Sequence, residues 1–247
     1  MATARYSSTE AQPKLKRGLQ LDKPMFALAG IARNERVEYF EDFLGDAGQT
    51  LPPPMVATKT GTSTNNTVDY AAGSGGTYAL THSADSEAQT MRLDCGDSLL
   101  FNMSKAPRLE CRLKLNMAGA AMSADQRVVV GFASAYNATL DSVVTNAWFR
   151  LEGAVLDIFT ESDDATTDDD DNNTGVDFVD DTYLVLEIDT ADLSAVGFYV
   201  DGVLVSELDM STLGADTLVQ PIVAIQRDAG TEQEVLTVDY IHVIQER

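Results

Sequence analysis

Val196-Gly197-Phe198-Tyr199-Val200-Asp201-Gly202-Val203-Leu204-Val205 decides the fold class. Apolar and aromatic runs flank Asp201-Gly202, a pair whose backbone tolerates the positive φ angles of a type I′ turn, so the segment predicts a β-hairpin. The period of two continues outward. Met91, Leu93 and Cys95 alternate with Arg92 and Asp94, and Leu109, Cys111, Leu113 and Leu115 alternate with Glu110, Arg112 and Lys114. Successive side chains of a strand point to opposite faces, so each run predicts one wet and one dry side. Similar runs cover Glu38 to Leu44, Met55 to Lys59, Arg127 to Ser134, Ala147 to Leu151, Val155 to Thr160, Thr182 to Asp189, Val219 to Gln226 and Val235 to Ile244. Helical periodicity is absent apart from a short turn around Met117 to Ala124. Strands without intervening helices exclude a doubly wound α/β protein and predict an all-β, two-sheet antiparallel sandwich.

The 247 residues suffice for one large all-β domain. No apolar run is long enough for a membrane helix, and the start lacks the apolar core of a signal peptide. Two cysteines and two histidines leave little for a disulfide scaffold or a zinc cluster. A net charge of -22 argues against nucleic acid as a partner.

That charge is unevenly placed. Residues 1–37 carry +4 and the remainder -26, with no Lys or Arg from Leu151 through Gln226. The chain therefore divides into an extended basic arm, 1–37, and a sandwich domain, 38–247. The arm presents Arg5, Lys14, Lys16, Arg17, Lys23, Arg33 and Arg36 together with the apolar Met25, Phe26 and Leu28, a composition suited to gripping a partner or a neighbouring copy. Packing on its own domain and simple fraying are the alternatives.

Glu41-Asp42-Phe43-Leu44-Gly45, the hairpin at 196–205, and Pro221-Ile222-Val223-Ala224-Ile225-Gln226 followed by Leu236 to Val243 resemble the concanavalin A-like (lectin/glucanase) jelly roll. Over roughly residues 38–244 the set looks most like the jelly-roll structural proteins of tailed-bacteriophage particles. That resemblance implies a capsid decoration or cement protein without enzymatic activity, bound to the outer surface of the virion. Its partners would be the major capsid protein and neighbouring copies of itself, with a trimer suiting a threefold shell position. A carbohydrate-binding module of a fibre or tail protein is the alternative, and a jelly-roll glycoside hydrolase the third reading.

Retaining jelly-roll glucanases carry E-x-D-x-x-E on one strand. Here Glu187 and Asp189 match and Asp192 stands where the acid Glu belongs, one methylene short. The stretch Asp157 to Asp181 holds eleven carboxylates in 25 residues. It reads as a solvated loop, or as a calcium site built from Asp163, Asp164, Asp168 and Asp170, without the spacing of an EF-hand. Cys95 and Cys111 read as buried apolar filler, a cross-strand disulfide staying open. His82 and His242 have no metal spacing, and the eight tyrosines show no cluster along the chain. Trp148 and Phe149, adjacent on a strand, face opposite sides.

Overall fold

The computed structural model describes residues 19–21, 36–71, 76–117, 122–153 and 155–247. Among these, seventeen strands form two antiparallel sheets, the jelly-roll sandwich that the periodicity predicts. The first sheet runs β1 (Leu19–Leu21), β2 (Arg36–Glu41), β17 (Val235–Glu246), β8 (Arg108–Asn116), β13 (Leu184–Asp189), β14 (Val196–Val200) and β15 (Val203–Leu208). The hairpin of β4 (Thr67–Tyr70) and β5 (Tyr78–Thr81) joins it through β17. The second sheet runs β12 (Asp168–Asp177), β11 (Asp157–Asp164), β10 (Thr145–Glu152), β9 (Gln126–Ala133), β16 (Leu218–Arg227), β6 (Gln89–Asp94) and β3 (Val56–Lys59), with β7 (Phe101–Asn102) beside β16.

The hairpin forms at the expected turn. Asp201 and Gly202 take φ angles of 50° and 76°, the left-handed region that the connection requires. Its inward face places Phe198 edge-on to Phe149 of the opposite sheet, with ring centroids 5.3 Å apart, so one aromatic pair bridges the two layers. Around it, Leu109, Cys111, Leu113 and Leu115 of β8 meet Val128, Val130 and Phe132 of β9 in one buried cluster. Cys95, directly after β6 of the second sheet, and Cys111, on β8 of the first, are free and buried. Burial pushes the Cys95 thiol up to about 12 and the Cys111 thiol further in the same direction.

Two differences from the sequence reading have physical causes. The acidic stretch forms the paired strands β11 and β12 rather than a loop, with Asp163 opposite Asp168 and Asp157 opposite Asp177. β12 ends its sheet and meets water along most of its length, so little hydrophobic alternation marks it; backbone pairing and side-chain bonds such as that from the Thr174 hydroxyl to the Ile158 carbonyl hold it. The first strand of the predicted domain begins at Arg36, and Leu19–Leu21 pairs with Val37–Tyr39 at the sheet edge, inside the segment whose composition marks it as an arm. Of the predicted arm residues, Arg36 opens β2 and is exposed; Arg5, Lys14, Lys16, Arg17, Lys23, Met25, Phe26, Leu28 and Arg33 lie outside the described residues. The predicted turn at 117–124 also falls partly outside them.

Candidate functional site

The outer face of the second sheet is closed by its own chain. Trp148 points away from Phe149 as alternation requires, yet it is fully buried. Val129, Leu140, Val143, Ile222 and Ala224 form a second apolar cluster with it, with Tyr136 packed at its side. The indole N–H donates to Glu161 Oε2 at 2.7 Å, and Arg150 Nη1 lies 3.1 Å from both Glu161 oxygens. Arg150 also reaches Asp141 and Glu152, each at 2.5 Å. Burial opposes the Arg150 charge, but these three carboxylates outweigh it and hold the guanidinium protonated. Glu161 bears the opposite balance: burial pushes its pKa up to about 7, against Arg150 and the indole N–H.

That imbalance predicts a pH dependence. A carboxyl whose pKa is higher in the folded than in the unfolded state binds more protons when folded, so it favours folding most at low pH. Its contribution is fully present below the ordinary carboxylate value and lost as pH rises through about 7. Thermal melts of wild type and Glu161→Gln, compared between pH 5 and pH 8, are expected to diverge as pH rises, by at most about 1.4 kcal/mol per pH unit. Parallel melts would remove Glu161 as the titrating group.

The predicted calcium residues divide. Asp163 and Asp168 line a cavity of about 390 Å³ together with Asp141, Ser142, Val144, Ala165 and Thr166. Asp164 instead organises the turn between β11 and β12: its Oδ1 accepts the Thr166 and Thr167 backbone N–H groups at 3.0 and 2.7 Å, and its Oδ2 accepts the Thr212 hydroxyl. Asp170 is not among the residues lining the cavity. Among the described residues no three His, Cys, Asp or Glu side chains are grouped as a metal site requires.

The E-x-D-x-x-E pattern is not built as one strand face. Glu187 and Asp189 point outward from β13, while Asp192 lies beyond the strand end, accepting the Ser194 backbone N–H at 2.9 Å and its hydroxyl at 2.7 Å.

The outer face of the first sheet carries the arrangement that the sequence hides. Cross-strand register aligns Phe40 (β2) with His242 (β17), His242 with Glu110 (β8), Glu110 with Glu187 (β13), Glu187 with Tyr199 (β14) and Tyr199 with Leu204 (β15). The first five of these side chains alternate with core residues of their strands and so share one face. Phe40 packs against Tyr240 at 5.8 Å and edge-on to His242 at 5.4 Å. At the other end the Tyr199 ring leans back along its own strand over Gly197. A Cβ there would lie 2.9 Å from the ring, so any other residue would push the ring aside. Strand spacing of about 4.8 Å puts Phe40 and Tyr199 some 19 Å apart, with partly exposed carboxylates between two aromatic ends. Tyr240 donates its hydroxyl to Glu110, and His242 Nε2 lies 2.8 Å from Glu38. Arg112 stacks on Tyr183, 4.1 Å from the ring centroid, beside the row. Burial, then the charge of Glu110, raises the Glu187 pKa. Every member is visible in the sequence, but their separation, up to 202 positions between Phe40 and His242, leaves no local signal.

No protein-family model matches this sequence, and no curated protein matches it. Solved structures do share its fold. The endo-1,3-beta-glucanase of Streptomyces sioyaensis superposes with a TM-score of 0.62 at 13% identity, covering 87% of this chain and 98% of that one. The beta-glucanase of Bacillus licheniformis gives 0.56 at 13%, over 85% and 98%. The carbohydrate recognition domain of Emp47p gives 0.54 at 9%, over 83% and 94%. None of these is a phage particle protein, which corrects the assignment as a virion decoration or cement protein. The hairpin and closing strands that suggested it belong to the sandwich, and a fold does not carry a function. The expectation of a chain that is not an enzyme is overturned with it, since two of the three proteins are glucanases. What the chain has in common with all three is the two-sheet antiparallel, concanavalin A-like jelly roll of glycosidases and lectins.

Proposed function

We propose that this protein binds glycans across the outer face of the first sheet. The observation that carries the reading is the aligned row from Phe40 to Tyr199, with aromatic rings at its ends and carboxylates at its centre. Partly exposed rings on a rigid sheet offer stacking surfaces to the C–H faces of sugars. Carboxylates accept hydrogen bonds from their hydroxyls, which fixes orientation. The sandwich supports the row from below, since each outward residue is flanked along its strand by buried ones. The fold shared with proteins named for glucan and carbohydrate recognition is consistent with this use.

Affinity electrophoresis and titration calorimetry against a panel of soluble polysaccharides test the reading. Tyr199→Ala and Phe40→Ala are each expected to weaken binding about tenfold, or ~1.4 kcal/mol, with the fold unchanged by circular dichroism. Retained affinity in both variants, or no binding by wild type, would exclude the face as a glycan site.

A further inference from the structure

At the centre of the row, Glu110 and Glu187 stand directly opposite each other on neighbouring antiparallel strands. Side chains so placed have Cβ atoms about 4.5–5.5 Å apart, and like charges there are destabilising. Three cations project from the same strand as Glu110; each is paired with another carboxylate, and Arg108 also acts on Glu187 through its charge. Arg108 pairs with Asp189 at 3.2 Å, Arg112 with Asp239 and Lys114 with Asp181. Tyr240 supplies one hydrogen bond to Glu110. Among the described residues, Glu187 has no hydrogen-bond or ion-pair partner of its own. Two carboxylates are too few for calcium, which takes six to eight oxygen ligands.

The flanking rings point to the same kind of occupant. Phe40 and Tyr240 at one end and Tyr199 at the other are partly exposed rings, a group that attracts cations as well as sugar C–H groups. An ammonium group seated over Glu110 and Glu187 relieves their repulsion and accounts for both carboxylates. A net charge of -22 disfavours sulfated or uronic-acid glycans at the same surface.

We infer that the ligand class of this row is a glycan bearing protonated amino groups, recognised by the opposed pair Glu110 and Glu187 between aromatic stacking surfaces. The inference rests on the glycan-binding reading and narrows it. Three oligosaccharides of equal length separate the two: a glucosamine oligomer, its N-acetylated counterpart and a neutral β-glucan. The glucosamine oligomer is expected to bind wild type at least about tenfold more tightly than the N-acetylated one, with the advantage shrinking as salt rises. In Glu110→Gln/Glu187→Gln that advantage is expected to vanish, the glucosamine oligomer losing at least about tenfold more affinity than the two uncharged oligomers lose. The double variant is expected to melt no lower than wild type, because the substitution removes a like-charge pair. Equal affinity for amine and N-acetyl forms, or a preference that survives the double substitution, overturns the inference and leaves the glycan site standing. Absence of binding to all three oligomers overturns both.

Discussion

Trp148→Ala is expected to cost about 3–5 kcal/mol of folding stability, the range for deleting a large buried aromatic. The indole is fully buried in an apolar cluster outside the main core, so its loss opens a cavity beneath the segment carrying Leu140 and Val143. It also removes the N–H that Glu161 accepts, leaving that buried carboxylate to Arg150 alone. Trp148→Phe separates the two effects, because it keeps most of the volume and loses only the donor. A loss of about 1.5–3 kcal/mol is expected there at pH 8, where Glu161 is ionised, the range for a hydrogen bond to a charged group. Urea midpoints followed by circular dichroism measure both, with the slope showing whether two-state behaviour holds. A loss below about 1 kcal/mol in Trp148→Ala would mean that the cluster contributes nothing to the folded state.

Arg227→Met is expected to be comparably damaging at the other end of the same sheet. The guanidinium is fully buried and donates to the Ser83 and Asp85 carbonyl oxygens, each at 2.8 Å, and to that of Glu232. It thereby ties the end of β16 to two loops, one leading into β6 and one into β17. Met fills a similar space but leaves the buried Ser83 carbonyl without the Arg227 donor and removes the part-buried bonds to Glu232 and to Asp85, whose carbonyl keeps the Glu87 N–H. Each bond from a charged group is worth about 1.5–3 kcal/mol, so a loss of about 3–5 kcal/mol is expected after partial relaxation. Hydrogen exchange should locate the change, with protection falling first at residues 82–90 and 228–234. Uniform loss across both sheets would show instead that Arg227 supports the whole sandwich.

The sequence is an uneven guide to this molecule. The β14–β15 hairpin is readable because two local signals agree: alternation on both arms and an Asp-Gly pair at the turn. The alternation of Leu109 to Leu115 is equally direct, since β8 has one face in the core and one in water. β12 gives little such contrast, because the half-buried side of this edge strand is mostly polar, Asn172 and Thr174 with only Val176 reaching the core. The opposite orientations of Trp148 and Phe149 follow from period two, but burial of both does not. The cover over Trp148 comes from a distant strand and from the segment before β10. The candidate site is the extreme case. Glu110 and Glu187 become neighbours only through register, 77 positions apart, and a reading along the chain sets Glu187 beside Asp189 and Asp192 instead.

The terminal position of β12 has one more consequence. A ten-residue strand at the rim of a sheet is a template onto which a second molecule could zip, backbone to backbone. Asp168 to Asp171 and Asp177 line that rim with negative charge, so two such rims repel before they can register. The acidity of this hairpin thus acts as a polyelectrolyte fringe that opposes edge-to-edge pairing of two copies.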